Sequence, residues 1–242
     1  AWRDLKARYS QTVIGLAWAV VQPLFMMLVF TVVFSKIAQL PSDGIPYPLF
    51  AYAALVPWTY FSKSLDRSGF SVVAESNLIT KIYFPRLIIP LSATLGGLFD
   101  FAIAFLLLVA MMLWFGVFPT WKLVTVPLFL ALTVLASLSV SLWLSAFFVK
   151  YRDVAALIPL LTQVWMFGSP VAYSVSMVPQ EWQALYNLNP MVGVIGGFRW
   201  ALLGTPAPDP VFLVVNIVTI SVSLLLGMAY FNRMANTFAD VI

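Results

Sequence analysis

Between Arg8 and Lys36 the chain runs 27 residues without a charge, and further uncharged or nearly uncharged stretches of comparable length follow. About 20 apolar residues in a helix cross a hydrocarbon core of roughly 30 Å. A chain built this way is expected to fold as a helical bundle in a bilayer. Composition agrees: 62% of residues are hydrophobic and 9% charged, against roughly a quarter charged in soluble domains.

The net charge of +4 does not indicate nucleic acid as a partner. The 13 Lys and Arg sit singly or in small clusters between apolar runs and form no basic face. The chain has no cysteine and no histidine. Disulfides and Cys-based sites are therefore excluded, and the commonest metal ligand is missing, so no metal is expected. The start, Ala1-Trp2-Arg3-Asp4, lacks an initiator Met and resembles no signal peptide, so upstream residues are expected to precede it.

With charges taken as boundaries, the expected spans are 12–35, 48–66, 87–115, 123–149, 154–173 and 210–231, six in all. In the first ten residues Trp2, Leu5 and Tyr9 share one helical face, with Arg3, Lys6 and Arg8 around the rest, the pattern of an interfacial helix lying at the headgroups. Arg3, Lys6, Arg8, Lys63, Arg67, Lys81, Arg86, Lys150, Arg152 and Arg233 fall on one side of this topology, and Lys36, Lys122 and Arg199 on the other. The excess places both termini in the cytoplasm by the positive-inside rule. The stretch Trp182 to Phe198 is uncharged but only 17 residues long, and it carries Asn187, Asn189, Pro190, Gly193, Gly196 and Gly197. Lipid does not tolerate such backbone, so 171–205 is expected to be an external re-entrant region of short helices. The loops are too short for a second folded unit, and residues 1–242 form one membrane domain.

Asp100 is the one ionisable residue expected near the middle of a span, with no base at its depth. It reads either as a proton relay or as a structural carboxyl facing the bundle. No G-x-x-x-x-G-K-[ST] loop occurs, so if ATP drives the process another chain binds it. No Ser, Thr or Cys nucleophile has a histidine base, and the carboxylates form no acid/base pair, which leaves no catalytic residue to assign. In span 5, Thr162, Trp165, Met166, Ser169 and Tyr173 follow helical spacing, and in span 1 Trp18, Gln22 and Phe25 line up similarly. Aromatic rings mixed with hydroxyls and amides suit sugars, whose C–H faces stack while their hydroxyls bond; interface anchoring and helix packing are the competing readings. Span 4 carries Thr133, Ser137, Ser141 and Ser145 four apart, a stripe expected to serve close helix packing. In the stretch Glu75 to Arg86, Leu78, Ile79 and Ile82 fit a short helix docked on a partner or one partly sunk in the interface.

Several segments together are similar to one family. Arg3-Asp4-Leu5, Arg8-Tyr9, Gln11-Thr12, Gly15, Trp18 and Gln22-Pro23 resemble the entry to the membrane subunits of ABC-2 type polysaccharide exporters, the Wzm and TagG kind. Asn77-Leu78-Ile79, Lys81 and Phe84-Pro85-Arg86 resemble a second signature. Tyr151-Arg152-Asp153-Val154, Ser169-Pro170-Val171 and Asn189-Pro190 resemble later ones. The resemblance implies a homodimer of six-span subunits in the bacterial inner membrane, each bound to a separate ATPase that holds ATP and Mg, moving a lipid-linked polysaccharide outward. It implies a gate helix at 1–11, through Trp2, Arg3, Leu5, Arg8 and Tyr9. A coupling helix is implied within 75–86, with Glu75, Asn77, Leu78, Ile79, Lys81 and Tyr83 at the ATPase. Spans 1 and 5 would flank the lateral opening, making Trp18, Gln22, Phe25, Trp165, Ser169 and Tyr173 the expected lining. The alternatives are an exporter of teichoic acid, another lipid or a drug; an ion-coupled secondary transporter using Asp100; and a membrane-bound transferase.

Overall fold

The computed structural model describes residues 17–75 and 84–235, with side chains from Val20 onward. The expected gate helix at 1–11 and coupling residues Asn77, Leu78, Ile79, Lys81 and Tyr83 lie outside the described residues, as does the Trp18 side chain. The described residues are helical, without strands.

Helix α1, Ala17–Phe30, continues as a π-helical segment, Thr31–Ile37. The chain then turns through Gln39, Asp43 and Gly44, all at positive φ, and the Ser42 hydroxyl donates to the Ile45 carbonyl at 2.6 Å. Helix α2, Tyr47–Ala74, follows; its 28 residues rise about 42 Å. Helices α3, Ile88–Leu95, and α4, Leu98–Trp114, form one apolar stretch interrupted at Gly96–Gly97. A 3-10 turn, Trp121–Thr125, leads into α5, Val126–Lys150. Helix α6, Val154–Phe167, precedes a folded cap of irregular chain, α7 (Gln180–Tyr186) and α8 (Pro190–Leu203). Helix α9, Pro210–Ala235, ends the described chain.

Among the described residues four helical segments are long and apolar enough to cross a membrane: Val20–Ile37, Ile88–Trp114, Trp121–Lys150 and Pro210–Ala235. Helix α2 has the length but carries Lys63, Asp66 and Arg67. Helix α6 has 14 residues, about 21 Å.

Helix α2 is the axis of the bundle. Leu49 to Val56 are no more than 2% exposed, and α1, α3, α4, α5, α6 and α8 all pack on it. Sheathed in protein rather than lipid, it can hold polar and charged side chains. Gly69 gives α6 its close approach, since a Cβ there would stand 2.7 Å from Ile158 Cδ1. On α5, Thr133, Ser137, Ser141 and Ser145 are fully buried. Beside this stripe Phe148 meets Phe70 of α2 edge-on, ring centroids 4.9 Å apart.

Two expected boundaries are corrected. Span 2 does not end at 66: the helix runs two more turns to Ala74, because its charges lie within the bundle rather than marking its edge. Span 5 is not helical to 173. It stops at Phe167, where Gly168-Ser169-Pro170 follows; the residue before a proline is steered away from helical geometry.

Candidate functional site

The expected lining residues of α1 and α6 stand on two helices that both lean on α2. On α1, Met27 and Phe30 are buried, whereas Gln22 and Phe25 are exposed, Phe25 by 64%. On α6, Ile158 and Thr162 are buried and Trp165 is half-buried. The Trp165 indole ring packs edge-on to Phe61 of α2, centroids 5.2 Å apart.

Because α6 ends at Phe167, Ser169 and Tyr173 do not continue its face. They belong to the start of the cap, where side-chain bonds replace helical ones. The Trp165 indole N–H donates to Asn189 Oδ1 at 2.9 Å. The Asn189 amide donates to the Gly168 carbonyl and to the Ser169 hydroxyl, each at 2.9 Å. Ser169, fully buried, returns its own hydroxyl to the Trp165 carbonyl at 2.8 Å. Asn189 also caps α8, accepting from the Met191 N–H at 3.0 Å ahead of Pro190, whose missing N–H costs nothing in a first turn. One asparagine thus joins the end of α6 to the start of α8.

Tyr173 donates to the Phe167 carbonyl at 2.9 Å and accepts from the Tyr186 hydroxyl at 3.0 Å. Burial, and then the bond to Tyr173, push the Tyr186 phenol well above its usual range, so it remains a neutral donor. Glu75 closes α2 on an exposed turn, its backbone N–H bonding the Ser71 carbonyl at 3.1 Å.

Arg199, expected among the outer-side charges of the topology, is 4% exposed and organises the cap. Its guanidinium donates to the carbonyls of Phe50 (3.2 Å), Pro170 (2.7 Å), Tyr173 (3.2 Å) and Val171 (2.8 Å). It also lies 3.4 Å from the centre of the Phe50 ring. Burial draws its pKa down to about 9, while Asp43, Tyr47 and Tyr186 pull it back up; the group is charged at neutral pH. Five donors in a fixed fork are what four converging carbonyls require. Asn216 makes the second tie, from α9: its Oδ1 accepts from the Gly193 N–H at 2.7 Å and its amide donates to the Asn187 carbonyl. A side chain at Gly193 would overlap it.

The isolation expected for Asp100 is corrected. Arg67 donates to its carboxylate as an ion pair, with the side chains 20% and 14% exposed. Lys63 lines the same small cleft. A span ending at 66 leaves Arg67 outside it; the continuation of α2 brings Arg67 to Asp100. Gly97 makes room, since a Cβ there would stand 3.1 Å from the Tyr60 ring and 3.3 Å from Arg67 Nη1. Spacing along one chain carries no signal for this pair. Asn189-Pro190, by contrast, is legible as a helix start.

The pattern of the family described as ABC-2 type transporter matches residues 1–203. An O-antigen export system permease protein RfbA of Myxococcus xanthus is 28% identical, over 99% of this chain and 92% of its own length. A protein of the same name from Klebsiella pneumoniae is 26% identical over the same shares. The polysialic acid transport protein KpsM of Escherichia coli is 22% identical over 95% of this chain and 89% of its own.

Proposed function

This chain belongs to the ABC-2 type transporter family, and on that premise we propose that it is the membrane subunit of an ATP-driven exporter of a lipid-linked, O-antigen-like polysaccharide. The observation that carries this reading is its chain-long similarity to permeases named for O-antigen export. The sequence contains no phosphate-binding loop, so the reading assigns ATP and Mg to a separate ATPase, two copies of which bind two copies of this chain. No bond is made or broken in this subunit.

In this reading the chain makes six passes through a bacterial inner membrane, with both termini cytoplasmic. Helix α2 is the second pass, its charges sheathed by neighbours, and α6 the fifth, continued by the turn into the cap. Residues 171–205 form the outer re-entrant region. Segment 1–11 is the gate helix, and 75–86 docks on the ATPase through Glu75, Asn77, Leu78, Ile79, Lys81 and Tyr83. Closure of the ATPases on ATP moves these segments and opens the path between the two copies. Gln22, Phe25, Trp165 and Tyr173 offer surface to the polymer, with Trp18 on the same helix as Gln22. Ser169 belongs to this set as the enclosed residue that fixes Trp165.

The alternative of an ion-coupled transporter rests on Asp100, which stands in an ion pair with Arg67 rather than isolated within the bundle. Purification of the tagged chain in mild detergent from its native membrane, combined with deletion and complementation, tests the proposal. An ATPase subunit is expected in equal amount, and the wild-type chain is expected to restore surface polysaccharide. A chain that purifies alone and transports without ATP would overturn it.

A further inference from the structure

Under the cap, between α7, α8 and the loop 204–209 that enters α9, lies a cavity of about 250 Å³. It is separate from the Gln22, Phe25 and Trp165 surface. Asn187 and Thr205 line it, 5% and 8% exposed. The Asn187 amide donates to the Gln183 carbonyl at 2.7 Å, but among the described residues its Oδ1 has no partner, and neither does the Thr205 hydroxyl. Two carboxylates, Asp43 and Asp209, reach the same space. Each has one oxygen engaged: Asp43 accepts from the Ser174 hydroxyl at 2.7 Å and Asp209 from the Val211 N–H at 2.8 Å. Ser176 and Gln183 add further polar side chains, and Phe212 and Leu213 are among the apolar ones.

This lining is rich in acceptors, and its one full cation, Arg199, is occupied by four backbone carbonyls and opposed by Asp43. An anion would meet two carboxylates and no uncommitted positive group. A bare cation would leave most of the space unfilled, since the volume is several times the roughly 30 Å³ of one water, and would gain nothing from Phe212 and Leu213. Drug-sized ligands need about 300–1,000 Å³, so the space suits one small ring. A neutral sugar supplies hydroxyl donors to the acceptors and C–H faces to Phe212 and Leu213. We propose that this cavity is a binding site for one neutral sugar residue of the exported chain, on the cap side of the subunit. The assignment of the sugar to an exported polymer rests on the function proposed above; the cavity's preference for a neutral pyranose does not.

Gly196 supplies the test. A Cβ there would meet only Pro208 Cγ, at an ordinary 3.5 Å, so a larger side chain grows into the cavity without displacing backbone. The purified full chain is titrated with methyl glycosides of glucose, galactose, mannose, rhamnose and N-acetylglucosamine, followed by ligand-observed NMR. At least one glycoside is expected to bind saturably to wild type and to Gly196→Ala within about twofold. Binding is expected to be lost in Gly196→Leu and roughly tenfold weaker in Thr205→Val, which removes one hydrogen-bonding group at constant shape. Thr205→Val decides the matter if Gly196→Leu does not fold. No binding by any glycoside, equal binding by wild type and Thr205→Val, or displacement of the glycoside by calcium alone would overturn the proposal. If wild type restores surface polysaccharide in cells and no glycoside binds, only the cavity assignment falls. If wild type restores none, the export reading falls while the binding result stands.

Discussion

Helices α2 and α9 invert the rule of water-soluble proteins. Helix α2 is the more buried and the more polar: it encloses Tyr52, Ser64 and Ser68 and carries Lys63, Asp66 and Arg67. Helix α9 is the more apolar and the more open. Val214, Val218, Val222, Leu225 and Leu226 are each about half exposed or more, and its one charge is Arg233 in the last turn. In water that distribution would be unstable, whereas in hydrocarbon it is the low-energy one. Lipid tails compete with nothing that leucine offers, and polar groups gain most where other protein groups bond them. Helix α5 packs on both of these helices, so each change on α2, α5 or α9 tests one side of the contrast.

The largest effect is expected at the ion pair. Arg67→Leu takes away the guanidinium that donates to the enclosed Asp100 carboxylate, and a loss of about 3–5 kcal/mol is expected. Equilibrium unfolding in mixed micelles measures it. Arg67→Leu combined with Asp100→Leu is expected to regain most of the loss, since replacing both charges removes both desolvation costs. A double variant no better than the single one would show that the pair does not set the stability of this region.

Next comes the opposite insult, a charge on the outward side of α9. Val222 lies at the middle of the helix and is 49% exposed. Val222→Lys is expected to cost about 2.5–3.5 kcal/mol of membrane insertion at that depth, and Val222→Leu nothing. A translocon insertion assay on the α9 segment reads the difference directly. Equal insertion of both would mean that this side of α9 does not meet hydrocarbon.

The two sides converge at Asn216, a polar residue of α9 that is buried and bonded to Gly193 and to Asn187. Asn216→Leu leaves a buried N–H and a buried carbonyl without partners, and roughly 2–3 kcal/mol is expected to be lost. The cap is expected to loosen first, seen as faster proteolysis between α7 and α8 while the spans stay intact. Uniform protection would show that Asn216 does not hold the cap.

How much of this contrast was legible in the sequence follows from the same physics. Uncharged runs announced α1, α4, α5 and α9, because a lipid-facing helix has to be apolar almost throughout. In the sequence α2 ends at 66, since a helix sheathed by protein has no such requirement and its charges pass for a loop. The partner of Asp100 is illegible for the same reason. The aromatic and hydroxyl residues near the end of α6 read as one helical face, but Pro170 takes Ser169 and Tyr173 off the helix and into the cap. Arg199 reads as a loop charge until four carbonyls from two distant segments converge on it, and nothing local in the sequence encodes that convergence.

The smallest effect is expected on the side of α5 that faces α2, where polarity and size separate cleanly. Ser137 donates its hydroxyl back to the Thr133 carbonyl at 2.8 Å, and Thr133 to Phe129 at 2.7 Å. Such bonds satisfy the hydroxyl within its own helix and add little between helices. The Ser141 hydroxyl, fully buried, has no hydrogen-bond partner among the described residues. Ser141→Ala removes a buried polar group that gains nothing, so it is expected to be neutral or stabilising by up to about 1 kcal/mol. Ser141→Leu keeps the site apolar but adds bulk where α5 approaches α2, and is expected to cost about 1–3 kcal/mol. Side-by-side unfolding of the two variants distinguishes a packing stripe from the wall of a polar path. Loss of export in Ser141→Ala with unchanged stability would favour the path. Full export in Ser141→Ala, together with the destabilisation of Ser141→Leu, would identify the size of the residue as what this side of the bundle requires.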